Sequence, residues 1–367
     1  MRVVVDGIVF ENPYQIGIRR IFSEVMQRSA AQLDYTLWLR KRPICPLPDG
    51  VRVLRDWGRT SVERWNIPGR ALGWWGRRRY PQALRDTDIF HTTYFTPCPV
   101  PGPASVVSVY DMVAETELAT PGGEVWAKDV QRKRAAILSA KRCVAISQAT
   151  AADLIRFYPQ VADRVSVISL GADHLSPKPA RPPGLAPPDK MPFALFVGRR
   201  KGYKNFQTLL EAVRLPTWPA SLSLLLAGPP LDDTELKQLA DLGIAEKVHG
   251  LGFVSDADLG QLYSAARCFI FPSLMEGFGI PVLEAQTHGC PAVLSDIPVF
   301  HEVAGSGAVF FDARNPQSLA EAVVRACEPD VRWQLINAAH DNRRRFTWER
   351  TAAAHVALYE KLRTVAS

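Results

Sequence analysis

Residues 275–285 read Met275-Glu276-Gly277-Phe278-Gly279-Ile280-Pro281-Val282-Leu283-Glu284-Ala285, two carboxylates eight positions apart across a Gly-x-Gly turn that opens a helix. Gly277 and Gly279 let the backbone come close to a ligand. Pro281 suits the first helical position, where its missing N–H has no partner to lose, and Gly289 is a natural C-terminal stop. A turn of this kind aims unpaired backbone N–H groups at open space and so attracts phosphate. Glu276 in the loop and Glu284 inside the helix then serve best on either side of it, accepting hydrogen bonds from neutral sugar or ribose hydroxyls.

Other segments repeat the strand-turn-helix theme. Val197-Gly198-Arg199-Arg200-Lys201-Gly202-Tyr203-Lys204-Asn205 follows an apolar strand. Gly228-Pro229-Pro230, Gly252-Phe253-Val254-Ser255 before Leu262-Tyr263, and Phe271-Pro272-Ser273 come in order after it. Together with the Glu276–Glu284 stretch they resemble retaining glycosyltransferases of the GT-B fold, family 4. That resemblance covers residues 193–312 strongly and the N-terminal half more loosely. It implies an α/β fold of two facing Rossmann-like, doubly wound domains with a cleft between them. By the same resemblance Arg199 and Lys204 hold a diphosphate. Gly17, Gly198, Gly277, Phe278, Gly279 and Ile280 complete the donor site with Glu276 and Glu284. Alone, a Glu-x7-Glu spacing is also common on solvated helices; the phosphate loop beside it favours the ligand site.

At 367 residues and 47% hydrophobic the chain exceeds what one core serves, so two domains are expected. The six cysteines lack metal or disulfide spacing and read as small buried residues in a reducing compartment. Met1-Arg2-Val3-Val4-Val5-Asp6 is already a strand, and no apolar run approaches the ~18 residues that span a bilayer. A cytoplasmic location, peripheral on the inner face of the membrane, is the expectation.

Charge is unevenly placed. Residues 1–176 hold 24 lysines and arginines against 17 acidic residues, which is the whole net charge of +7. Its sharpest patch is Trp74, Trp75, Arg77, Arg78 and Arg79. Paired indoles beside three arginines suit an anionic membrane interface, or equally a packed Trp pair beside a solvated basic turn. No nucleic-acid motif accompanies the basicity, so nucleic acid is not an expected partner.

Short β-branched or apolar runs alternate with helical patterns along the chain. They are Val3–Val5, Val51–Leu54, Asp88–His91, Val106–Val109, Cys143–Ile146 and Val165–Ile168, then Ala194–Val197, Leu222–Ala227, Lys247–His249, Cys268–Phe271, Ala292–Leu294 and Ala308–Phe311. Such alternation argues for parallel sheets covered by helices on both faces, once in each half. The expected division is an acceptor domain at 1–176, a proline-rich linker at 177–192 and a donor domain at 193–347. A closing helix at 348–367 would, by the resemblance, pack back on the first domain.

The N-terminal half offers further candidates. Gly17 and Arg20 sit in a loop after the first strand that resembles the family's Gly-Ile-x-Arg segment, or is an ordinary strand-to-helix turn. Tyr110-Asp111 stands where many relatives carry His-Asp; a phenol removes a group that titrates near neutrality but can still meet a sugar hydroxyl. Asp111 and His91 are candidate sugar or acceptor contacts, although a lone histidine at a strand end is commonly structural. Ser147 is an expected N-cap.

The resemblance implies transfer of a hexose-like sugar from a nucleoside-diphosphate sugar to a glycan or lipid-linked hydroxyl, in polysaccharide or glycoconjugate synthesis. Glu276, Arg199, Lys204 and Asp111 are the catalytic candidates. No metal and no cofactor beyond the nucleotide-sugar co-substrate is expected: Asp86-Thr87-Asp88 has the spacing of a metal motif but precedes its strand. A catalytically silent subunit that binds glycan or a partner, or another GT-B enzyme such as a nucleotide-sugar epimerase, is the alternative.

Overall fold

The computed structural model describes residues 1–12, 16–55, 82–119, 123–173, 191–200 and 202–366. The chain divides into two compact units. The first comprises Met1–Glu115, Pro121–Leu170 and Trp348–Ser367, and the second Thr116–Thr120 with Gly171–Thr347.

In the first unit β1 (Arg2–Asp6), α1 (Ile16–Ser29), β2 (Asp34–Leu39), β3 (Arg52–Arg55), α2 (Gln82–Arg85), β4 (Ile89–Thr92), β5 (Ala104–Val109), α3 (Gly123–Ser139), β6 (Arg142–Ala145), α4 (Gln148–Phe157) and β7 (Val165–Val167) alternate along the chain. The strands form one parallel sheet in the order β3-β2-β1-β4-β5-β6-β7. Val3, Val4 and Val5 are all buried, although successive side chains point to opposite faces, so both faces of β1 are covered. Ser147 accepts the Thr150 N–H and caps α4.

The second unit carries β8 (Phe193–Val197), α5 (Phe206–Arg214), β9 (Ser223–Ala227), α6 (Asp233–Asp241), β10 (Val248–Gly252), α7 (Asp256–Ala265), β11 (Cys268–Phe271), α8 (Ile280–Thr287), β12 (Ala292–Ser295), α9 (Pro298–Ala304), β13 (Ala308–Phe311), α10 (Pro316–Cys327) and α11 (Pro329–Asn342). Its parallel sheet runs β10-β9-β8-β11-β12-β13. α5 shows why these helices dock: Phe206, Leu209, Leu210 and Val213 repeat at helical spacing and are buried against Phe196 and Leu224. Each such side chain contributes about 1.5–3 kcal/mol by leaving water.

All twelve expected runs are strands, and among the described residues β2 is a thirteenth that the apolar pattern does not mark. Polar Asp34 and Thr36 interrupt its apolar character, yet Tyr35, Leu37, Trp38 and Leu39 are buried because β2 lies inside the sheet between β3 and β1. Residues 174–190, most of the proposed linker, and the Trp74–Arg79 patch lie outside the described residues. No helix among the described residues is long and apolar enough to cross a membrane.

The last helix, α12 (Trp348–Ala366), belongs to the first unit and packs on α1. Its Tyr359 hydroxyl lies 2.5 Å from His91 Nδ1, and His91 Nε2 lies 2.9 Å from Ser108 Oγ. His91 therefore meets no solvent: it is 0% exposed, with both ring nitrogens engaged and the His355 ring stacked 5.8 Å away. The expectation of a sugar contact at His91 is corrected; this is a core histidine that ties α12 to the sheet.

Burial pushes His91 well below the ordinary histidine range, and His355 down to about 4. Between pH 6.5 and 4 the unfolded chain accordingly binds protons that the folded chain refuses. Stability must fall as pH drops through that window, by about 3 kcal/mol from His355 alone. Calorimetry at pH 7 and pH 4.5 should show a lower midpoint in acid, and a His355→Leu variant should lose part of that difference. An identical slope in the variant would dismiss the assignment.

Candidate active site

In each sheet the strand order reverses beside the first strand of the unit, between β1 and β4 and between β8 and β11. Ligands in open α/β sheets bind beyond the carboxyl ends of the strands at such a point. In the second unit the loops that leave there are those carrying Lys204 and Glu276.

The carboxyl edge is kept open by glycine. Gly198 N–H donates to the Ala227 carbonyl at 2.8 Å, and Gly228 N–H to the Gly252 carbonyl at 2.9 Å. Gly198 and Gly228 have φ of 128° and 149°, and a Cβ on Gly228 would fall 2.4 Å from the Gly198 oxygen. Only glycine fits position 228.

Two adjacent arginines then part company. Arg200 is buried; its Nε and Nη2 donate to the two carboxylate oxygens of Glu235, both at 2.8 Å, and its guanidinium also meets the Pro229 and Pro230 carbonyls. The fork holds the Glu235 carboxyl below its usual range. Arg200 thus fastens the β8 loop to the β9 loop. Arg199 is exposed and has no partner among the described residues, which leaves it available to a ligand.

The far end of the loop is pinned by Asn205, one of two non-glycine residues with positive φ among the described residues (56°). Its Nδ2 donates to the Pro272 and Ala313 carbonyls, and its Oδ1 accepts from Thr208 Oγ1. The Tyr203 carbonyl accepts the Leu274 N–H at 2.8 Å. Backbone held in this sparsely populated region is sustained by such surrounding bonds. They bring the β8 and β11 loops together, so that Lys204 Nζ donates to Glu276 Oε1 at 2.5 Å over the Phe271 ring. Ser273 Oγ donates to the same oxygen at 2.7 Å. Both donors thus fall on Oε1, and Oε2 of Glu276 takes no hydrogen bond among the described residues.

Gly279 (φ 94°) caps α8, and Pro281 occupies the second helical position, one later than expected. The first turn leaves backbone N–H groups at the same carboxyl edge. Phe278 is buried against Phe346, edge-on with ring centres 5.7 Å apart, so only its backbone can meet a ligand. Glu284 is buried, and its Oε2 accepts from the Tyr263 hydroxyl at 3.1 Å. Tyr263 stacks on His288, and burial followed by the Glu284 charge drives its phenol well above the usual range. Tyr263 was legible only as part of a motif. Its grip on Glu284 crosses 21 positions and left no local signal.

The first-unit candidates are placed differently. Gly17 and Arg20 stand in the first turns of α1 and not in a loop, and Gly17 is exposed with nothing within 4 Å of where a Cβ would project. Tyr110 is buried, and its hydroxyl donates to the Thr93 carbonyl at 2.7 Å. The expected contact of this phenol with a sugar is corrected, since its one proton is committed inside the fold. Asp111 is half-buried and accepts the Val113 N–H, while its carbonyl receives Lys133 Nζ, which pairs at 2.8 Å with half-buried Glu115. Asp88 accepts the Arg2 N–H and ties the turn before β4 to β1.

Residues 178–341 match the family model of glycosyl transferases group 1, and residues 34–174 that of Glycosyltransferase Family 4. The chain is similar to O-antigen chain mannosyltransferase B of Escherichia coli, 30% identical over 235 residues, 61% of each chain. It is also similar to a D-inositol 3-phosphate glycosyltransferase of Corynebacterium glutamicum (strain R), 28% identical over 230 residues, 56% of this chain and 54% of that one. The matched stretch thus spans little more than half the length of these curated relatives. Among solved structures the fold is similar to sucrose-phosphate synthase from Thermosynechococcus elongatus, with TM-score 0.75, 18% identity and 100% of both chains covered. It is likewise similar to Anabaena Alr3699/HepE in complex with UDP and glucose, with TM-score 0.70, 16% identity, and 97% and 98% of the chains covered.

Proposed function

The chain belongs to the group 1 glycosyltransferases of the GT-B fold, and we propose that within that family it moves a hexose-like sugar from a nucleoside diphosphate to a hydroxyl of a glycan or lipid-linked acceptor. One observation carries the reading: Lys204 and Glu276, on separate loops, converge at the switch point of the second sheet. Lys204, Arg199 and the N-terminus of α8 supply positive potential for the diphosphate as its charge grows on departure. The open Oε2 of Glu276 accepts from a hydroxyl of the reacting sugar. Glu284, oriented by Tyr263, accepts from the ribose.

The reaction proceeds with retention and without a metal. The acceptor reaches the face that the leaving group quits, a phosphate oxygen takes its proton, and the cationic side chains counter the charge a metal would otherwise meet. In the first unit, Asp111, Gly17 and Arg20 are the residues assigned to ligand contact. The mannosyltransferase relative and the UDP–glucose complex name the donors to try first.

A panel of nucleotide sugars with a glycan acceptor, with and without EDTA, should release nucleoside diphosphate for at least one donor, unaffected by the chelator. Proton NMR of the product should show the donor's anomeric configuration. Inversion, or loss of turnover in EDTA, would reject that part of the proposal; release from no donor would leave a silent binding subunit.

A further inference from the structure

A second concave site lies at the other end of α8. A cavity of about 210 Å³ is lined by Arg343, Arg344, Thr287, Thr347, Leu283 and Phe346 together with Ala172 and Asp173. All belong to the second unit. Ala172 N–H donates to the Phe346 carbonyl at 3.3 Å, which joins the two stretches of chain that form the walls. Taking ~30 Å³ per water, the space holds roughly seven waters. That is room for a phosphate group with a few carbon atoms.

The lining is built for an anion. Arg343 is half-buried, Arg344 is exposed, and neither is paired with a carboxylate among the described residues. This contrasts with Arg200, which spends four of its five N–H donors on protein oxygens. Arg345, the third member of the run, is engaged by Asn342 Oδ1 at 2.9 Å and lies over the Phe346 ring. Among the described residues that line it, two guanidiniums stand against the single carboxylate of Asp173, so this lining is net positive. The Thr287 hydroxyl donates to the Leu283 carbonyl at 2.8 Å, so its oxygen can still accept from a protonated ligand group. The floor of Leu283 and Phe346 is apolar and buried.

We infer that this cavity binds a phosphate monoester or diester, its oxygens held by Arg343 and Arg344 and its short carbon part lying toward the edge of Phe346. Guanidinium forks match phosphate geometry bidentately. Along α8, Thr287 at the cavity lies about 10 Å from Ile280 at the diphosphate end, with the floor residue Leu283 one turn from that end, and the donor-loop variant below separates the two anion sites.

The test uses the full chain, with calorimetric titration of inorganic phosphate and glycerol 3-phosphate. Co-sedimentation with vesicles of equal parts phosphatidylcholine and phosphatidylglycerol forms a separate arm. Three proteins are compared: wild type, Arg343→Ala/Arg344→Ala, and Arg199→Ala/Lys204→Ala. Wild type and the donor-loop variant should bind a soluble phosphate with a dissociation constant on the order of 1 mM, and the Arg343/Arg344 variant at least about tenfold more weakly. Sedimentation without soluble binding, lost in the same variant, makes a lipid headgroup the source of the phosphate. Binding lost only in the donor-loop variant, or no binding in either arm, overturns the inference. Melting temperatures check that each variant folds, and Arg343→Lys/Arg344→Lys should keep part of the affinity if charge, beyond mere bulk, is what binds.

Discussion

Replacing Lys204 with alanine should lower turnover by roughly 10²-fold or more, the scale for removing one preorganised donor from a site of developing charge. The ammonium is held by geometry that precedes any ligand. Asn205 in its left-handed conformation sets the end of the loop, Phe271 lies beneath Nζ, and Glu276 Oε1 fixes its direction. Such a group has little reorganisation left to do when the diphosphate departs. Arg199→Ala should act in the same direction but less strongly, because an exposed guanidinium is screened by water. The neighbouring Arg200 gives the contrast. Arg200→Ala strands Glu235 and two carbonyls, so it should cost about 3–5 kcal/mol of stability. Turnover at saturating donor and calorimetric midpoints read the two effects separately. Near-normal turnover in both Lys204→Ala and Arg199→Ala would remove the proposed donor site.

The contrast between those two arginines marks how far the sequence could be read. Local signals carried the fold: apolar runs of strand length, helical spacing such as Phe206-Leu209-Leu210-Val213, and glycines at the strand ends. Strand β2 escaped because Asp34 and Thr36 break the run, and only its place inside the sheet explains its burial. Candidate site residues could be named where the motif lies within one segment, as with Glu276, Gly279 and Lys204. It was illegible where a partner comes from far along the chain. Arg200 finds Glu235 across 35 positions, Tyr263 finds Glu284 across 21, and His91 finds Tyr359 across 268. That last pairing turned an expected sugar contact into a core residue. Tyr110 followed the same course, since the carbonyl of Thr93 that takes its proton belongs to another strand's end.

Glu276→Gln should cost far more activity than Glu284→Gln, although both exchange a carboxylate for an amide of equal size. At position 276 the amide oxygen can keep Lys204 and Ser273, which both address Oε1. The NH₂ group must then occupy the place of Oε2, where a donor replaces the acceptor that a sugar hydroxyl needs. Losing a hydrogen bond to a charged group there, about 1.5–3 kcal/mol, and weakening the partner that steadies Lys204 together give roughly 10²-fold in kcat. At position 284 the amide oxygen can accept from Tyr263 as the carboxylate does, and the ribose lies away from the breaking bond. Its loss should show chiefly as a higher KM for the donor, by roughly tenfold. Steady-state kinetics with varied donor separate the two, and Tyr263→Phe should shift KM in the same sense as Glu284→Gln. A larger fall in kcat for Glu284→Gln than for Glu276→Gln would mean that the turn presents its carboxylates the other way round, with Glu284 at the reacting sugar.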